Sequence, residues 1–138
     1  VKEASADIGY FSRVQIQTDT EILSGDDPTY LASLAAGGSG VVSVVTNVFP
    51  TAFVQMTALH NAGQNSEALA IHQALLAFVD RLFVETNPVP VKAVCAHLGY
   101  GDPFLRLPLA KISSNHGASL LKLYEHTRNQ LQELSALS

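Results

Sequence analysis

A lysine stands at position 2, in the stretch V-K-E-A-S-A-D, where a strand end gives way to a turn. The ε-amine of lysine is a nucleophile only when uncharged. With an ordinary pKa of about 10.4, very little of it is uncharged at neutral pH. A dry pocket at the carboxyl end of a barrel strand lowers that value and lets the amine attack a ketone to form a Schiff base. Spacing alone does not assign that chemistry to Lys2, because a lysine near a chain terminus is ordinarily solvated.

The other chemistry-bearing residues are explained by simpler roles. G-G-S-G at 37–40 has the composition of a phosphate loop but the wrong order. Phosphate loops follow a strand and open a helix, whereas these glycines close a helix and precede a strand. The histidines at 60, 72, 97, 116 and 126 show no pairing at i, i+4, so packing or surface roles are expected rather than metal ligation. Asp26 and Asp27 form an adjacent acid pair, and capping of the following helix accounts for them. Glu85, Asn87 and Lys92 surround the break T-N-P-V-P, which reads as a rigid connection. Cys95 is expected to be a small buried residue of a helix rather than a nucleophile.

The elements that must position these residues change character along the chain. Val1 to Ala4 reads as the end of a strand. Asp7 caps a helix to about Gln17, with Ile8, Phe11 and Val14 at helical spacing. Glu21 to Ser24 is a short strand ended by Gly25. Asp26 or Asp27 caps the next helix, with Pro28 in its first turn and Tyr30, Leu31 and Leu34 facing inward. Gly37-Gly38 stops that helix. Val41 to Val45 is a β-branched run with little alternation, as expected of a strand covered on both faces. Pro50 opens a third helix, Thr51 to about His60. Strand and helix alternating three times imply parallel strands joined by crossovers.

After Gly63 the spacing becomes helical throughout. Ala68, Leu69, His72, Leu75, Leu76, Val79, Leu82 and Phe83 predict one long helix. Val91, Val94, Cys95 and Leu98 mark a shorter one stopped by Gly99. A loop at 100–113 follows. The last helix, about 115–137, carries Leu120, Tyr124, Thr127, Leu131 and Leu134 on one stripe, which requires a partner surface. Three parallel strands cannot close a barrel, so the fold is expected to be incomplete at its front.

Composition narrows the function. Of 138 residues, 47% are hydrophobic and only 14% charged, against about 25% charged in an average globular domain. A surface short of charge is expected to be covered by further chain or other subunits; an alanine-rich helical domain is the plainer alternative. The net charge of −4 argues against nucleic acid and anionic membranes as partners. No apolar run approaches the roughly 20 residues of a membrane span. A single cysteine forms no internal disulfide and fits a reducing cytoplasm.

Five stretches in order carry a family likeness: K-E-A-S at 2–5, L-S-G-D-D at 23–27, G-G-S-G-V-V-S-V at 37–44, L-F-V-E-T-N-P-V-P-V-K at 82–92 and L-R-L-P-L at 105–109. Together they resemble the dihydrodipicolinate synthase and N-acetylneuraminate lyase family of class I aldolases. The 82–92 stretch is closer to the synthase branch than to the lyase branch. The resemblance implies an α/β fold that is the C-terminal part of a (β/α)8 TIM barrel, from the end of strand 6 through helix 8, plus a C-terminal helical extension. It makes residues 1–62 the last barrel units and 63–138 the helical domain.

The same resemblance implies that Lys2 is the Schiff-base lysine. Gly25 matches a glycine whose backbone approaches the substrate, and Val42 an aliphatic residue lining the pyruvate pocket. Asn87 and Phe83 match positions near the barrel mouth. The implied reaction joins pyruvate to aspartate semialdehyde, giving 4-hydroxy-tetrahydrodipicolinate for lysine and diaminopimelate synthesis. It requires no organic cofactor and no metal. The family's proton-relay threonine and tyrosines, its carboxylate-binding Thr-Thr pair and its semialdehyde-binding arginine all precede the lysine strand. Tyr10, Tyr30, Tyr100 and Tyr124 match none of them. The implied enzyme therefore needs an N-terminal barrel half, without which this segment is inactive, and it assembles as a homotetramer or homodimer. Two rivals remain open at this point. One is another pyruvate-dependent aldolase, such as N-acetylneuraminate lyase or a keto-deoxy-sugar-acid aldolase. The other is a non-catalytic assembly module that keeps the family pattern for packing only.

Overall fold

A computed structural model describes residues 1–136. Three strand–helix units come first: β1 (Lys2–Glu3), α1 (Ile8–Gln17), β2 (Leu23–Ser24), α2 (Tyr30–Ala35), β3 (Gly40–Val41) and α3 (Pro50–Asn61). Three further helices follow: α4 (Asn65–Leu82), α5 (Val89–His97) and α6 (Ser114–Ala136). The strands form one parallel sheet in the order β1-β2-β3, with Lys2 opposite Leu23 and Leu23 opposite Gly40. The strands are parallel, as expected from the alternation of strand and helix.

Local chemistry sets most boundaries. Asp7 caps α1, its Oδ1 accepting the Tyr10 N–H at 2.9 Å, which satisfies one of the orphan amides of a helix start. Pro50 occupies the first turn of α3, where a missing N–H costs nothing. Gly37 stops α2 with φ +93°, a conformation that other residues reach only with strain. Its amide returns to Leu34 O at 2.9 Å, and that of Gly38 to Ser33 O at 2.8 Å.

Two expectations are corrected. The strand expected over Val41–Val45 is only Gly40–Val41, and Val45–Asn47 forms a 3-10 turn instead. Val45 is fully buried there, so its apolar character reflects burial rather than extended backbone. Neither Asp26 nor Asp27 is the N-cap of α2. Thr29 holds that position, and Asp26 Oδ2 accepts the Thr29 N–H at 3.1 Å and its hydroxyl at 2.6 Å. The long helix expected after Gly63 is α4; it buries Ala68, Ile71, Leu75, Phe78, Val79 and Leu82, while Leu69 and Phe83 turn outward. On a helix with apolar residues on several sides, spacing leaves the buried face free to rotate by one residue.

One hydrophobic cluster runs from Tyr30 on α2 through α3, α4 and α5 to Tyr124 on α6. The stripe on α6 finds its partner mainly in α4: Leu120, Tyr124 and Thr127 are buried, and Leu131 and Leu134 pack against the cluster. At its centre Phe49 meets Phe78 edge-on at 5.2 Å and stacks on Tyr124 at 5.4 Å. Burying one such ring contributes about 1.5–3 kcal/mol. The helices thereby hold the chain after β3 against the sheet.

Candidate active site

The strand ends assemble the candidate site. Lys2 lies on β1 and is exposed. Gly25 is the first residue beyond β2, and its N–H donates to Glu3 O at 2.6 Å. Val42 is the first residue beyond β3, and its N–H donates to Ser24 O at 2.8 Å. Parallel pairing thus sets Gly25 beside Val42 just past the sheet, and Lys2, paired two residues earlier with Leu23, reaches Gly25 through its side chain. Val42 is 47% exposed there, with its side chain free of the hydrophobic cluster.

Gly25 has a definite reason to be glycine. A Cβ at this position would lie 2.5 Å from Lys2 Cε and 2.5 Å from Ala4 Cβ. The missing side chain leaves a slot, and the stem of Lys2 occupies it. What Gly25 accommodates is the lysine itself, in addition to the substrate approach expected of its backbone.

Next to these residues lies a group that sequence reasoning had placed in helix capping. Asp27 is 4% exposed and turns away from α2 toward the chain leaving β3. Its carboxylate accepts the Ser43 hydroxyl and the Val44 N–H, the latter at 3.0 Å. Burial pushes the Asp27 carboxyl above the usual carboxylate range, and these hydrogen bonds oppose the shift. The only signal in the sequence was its place two residues after a strand-ending glycine.

Asn87 and Phe83 are not brought to the strand ends by local structure. Both are exposed, Phe83 at the end of α4 and Asn87 in the turn before α5. Around that turn, Glu85 Oε1 accepts from the Ser113 N–H at 3.1 Å and its hydroxyl at 2.9 Å, and contacts His116 Nδ1 at 2.7 Å. This ties the turn to the start of α6. Lys92 Nζ donates to Phe104 O at 2.5 Å and anchors the 100–113 loop. Two tyrosines have structural partners: Tyr30 shares a 2.6 Å hydrogen bond with Thr57, and Tyr124 sits in the aromatic cluster. His72 is half-buried, which pushes its pKa down. Cys95 is half-buried, and burial raises its thiol pKa. Among the described residues no group of three or more His, Cys, Asp or Glu side chains could hold a metal ion. Among the same residues no helix is long and apolar enough to cross a membrane.

The sequence profile of the Dihydrodipicolinate synthetase family matches residues 1–127. The chain belongs to this family. Among its dihydrodipicolinate synthetase relatives, the 4-hydroxy-tetrahydrodipicolinate synthase of Leptospira biflexa is 40% identical over 124 residues, covering 88% of this chain and 42% of that protein. That of Methanococcus maripaludis strain S2 is 41% identical over 120 residues, covering 87% and 42%. The solved 4-hydroxy-tetrahydrodipicolinate synthase of Methylacidiphilum fumariolicum SolV superposes with a TM-score of 0.92 at 36% identity, over 99% of this chain and 46% of that one. A structure described as the first monomeric dihydrodipicolinate synthase variant gives 0.86 at 36% identity, over 91% and 44%. The chain therefore spans about two-fifths of the length of the curated relatives it matches. The sheet and helices described above are the portion of this fold family that the match covers.

Proposed function

We propose that this chain is the lysine-bearing part of a 4-hydroxy-tetrahydrodipicolinate synthase, with residues 1–62 closing its barrel and 63–138 forming its helical domain. The observation that carries the reading is the stem of Lys2 lodged in the slot left by Gly25, at the end of a parallel sheet. That arrangement directs an amine along a strand end, where barrel enzymes hold their reacting groups.

Lys2 attacks the ketone carbon of pyruvate, and water leaves to give a protonated imine. Loss of a methyl proton gives the enamine, whose carbon attacks the aldehyde of aspartate semialdehyde. The adduct's own amine then displaces Lys2 and closes the ring. The protonated imine is the electron sink, so the sequence of steps needs no organic cofactor. Val42 lines the keto-acid side. An N-terminal barrel half supplies the remaining strands, and the enzyme assembles as a homotetramer or homodimer in the cytoplasm.

Surface area supports the need for covering chain. The structure exposes 7830 Å², whereas a compact monomer of its mass exposes about 6,900 Å². Both outer strands of the sheet have an open edge in this order, and open edges invite pairing.

The test is borohydride reduction of the full-length protein with pyruvate, followed by peptide mass mapping. Labelling confined to the peptide carrying Lys2, and lost in Lys2→Ala, is the expected result. A wild-type protein that takes up no label would overturn the reading.

A further inference from the structure

A carboxylate leaves water only at a cost, which donors must offset. Two donors meet Asp27: the Ser43 hydroxyl and the Val44 N–H. Both come from one stretch, the chain leaving β3. Ser43 Oγ in turn accepts the Thr46 N–H at 3.0 Å, which folds that stretch into its 3-10 turn.

The position of this contact is what gives it consequence. The ladder between β2 and β3 ends with the Val42 N–H on Ser24 O at 2.8 Å. One residue further along each chain, the backbones part toward α2 and toward the 3-10 turn. Asp27 bridges them at that point. Apolar side chains of similar volume would fill the same gap without the desolvation penalty. They would not fix direction, whereas a carboxylate held by two donors from one stretch does.

We infer that Asp27 is a positioning residue: its carboxylate holds Val42–Val45 against the Gly25 end of β2 and so sets the width of the site beside the Lys2 stem. The inference rests on the reading of Lys2 as the Schiff-base lysine. Asp27 touches no reacting atom; it acts through Val42 and Gly25.

The experiment uses the full-length protein with Asp27→Ala, Ser43→Ala and the double variant. Melting curves, kcat/KM for pyruvate and amide hydrogen exchange across residues 43–46 are measured on each. Asp27→Ala, folded at the assay temperature, is expected to lose about 100-fold in kcat/KM, since a displacement of about 1 Å at a reacting site costs that much. KM for pyruvate rises, and the 43–46 amides exchange faster. Ser43→Ala removes one donor and shows a smaller loss of the same kind. Adding it to Asp27→Ala costs less than Ser43→Ala costs alone, because the shared contact is already gone and only the bond from the Thr46 N–H to Ser43 Oγ remains to be lost. Should Asp27→Ala fail to fold, Asp27→Asn keeps the shape and one acceptor and is read the same way.

A folded variant whose kcat/KM stays within about twofold of wild type overturns the inference. So does a loss that merely follows the unfolded fraction with KM unchanged. Wild-type protein that forms no adduct with pyruvate removes the Lys2 reading alone; the clamp is then judged by exchange, and unchanged protection at 43–46 in Asp27→Ala overturns it.

Discussion

Adding one methyl group at Gly25 tests the geometry of the site most directly. In Gly25→Ala the new Cβ would sit 2.5 Å from Lys2 Cε and 2.5 Å from Ala4 Cβ. Carbon atoms rest about 3.5–4.0 Å apart, so each contact is short by about 1 Å. The two clashes are relieved differently. Lys2 Cε is near the end of a flexible stem and swings away at small cost to stability, but the amine moves with it. Ala4 Cβ moves only with its backbone, and the 2.6 Å bond from Gly25 N–H to Glu3 O ties that backbone to β2. Overpacking of this kind costs about 1–3 kcal/mol. Displacing a reacting group by about 1 Å costs about 100-fold in rate.

The assay is kcat/KM for pyruvate in the full-length protein, paired with borohydride trapping and a melting curve. The control is Gly63→Ala, where φ is +76° and no atom lies within 4 Å of the added Cβ. Its cost is backbone strain of about 1 kcal/mol, with trapping and kcat/KM unchanged. The two variants therefore lose comparable stability, and only one of them loses activity. If Gly25→Ala retains kcat/KM within about threefold of wild type, the Lys2 stem does not depend on the slot, and the reasoning fails.

Two further outcomes are expected. Thr127 is 1% exposed and its hydroxyl has no hydrogen-bond partner, so Thr127→Val should stabilise the protein by about 1 kcal/mol in thermal or urea unfolding; destabilisation would show that the hydroxyl has a partner. Glu85 has its pKa lowered from 4.5, chiefly by the hydrogen bond with His116 and then by those from Ser113. A depressed carboxyl contributes stability above its unfolded pKa and loses it as pH falls through the folded value. Glu85→Gln should therefore flatten the fall in stability below about pH 4.5, and an acid-unfolding curve parallel to wild type would refute this.

The sequence signals that held are those in which cause and effect lie within a few residues. Asp7 caps its own helix, Pro50 opens its own, and Gly37 stops the one before it. The signals that slipped were apolar runs without a partner specified. Four of the five residues in Val41–Val45 are β-branched, yet only Val41 is in a strand, and Val45 is buried inside a 3-10 turn. Burial selects such residues whatever the backbone does. On α4 the helical spacing held, and only in space do Ile71 and Phe78 prove to lie on its buried face. Contacts between distant residues left no local pattern. Asp27 and Ser43 are 16 apart in sequence, and Glu85 and His116 are 31 apart. The role proposed for Lys2 comes from the family likeness alone, whereas the slot at Gly25 shows only in space.

The exposure of Lys2 follows from its place in the sheet. β1 is an outer strand in the order β1-β2-β3, so β2 provides its only strand neighbour among the described residues. A Schiff-base lysine has two separate requirements: its stem must be aimed, and its amine must be kept from water. The β2 side meets the first, through the slot at Gly25. The second must then be met from the open edge of β1, by chain pairing there in the proposed barrel. The division predicts different kinds of damage. Changes at Gly25 or Asp27 misdirect the amine and lower kcat/KM while the edge of β1 stays protected. Changes that weaken pairing along the outer edge of β1 instead speed amide exchange there while the Gly25 slot stays intact. Comparing exchange along β1 with pyruvate trapping in the two classes of variant separates aiming from covering, and identical results would show that one surface does both.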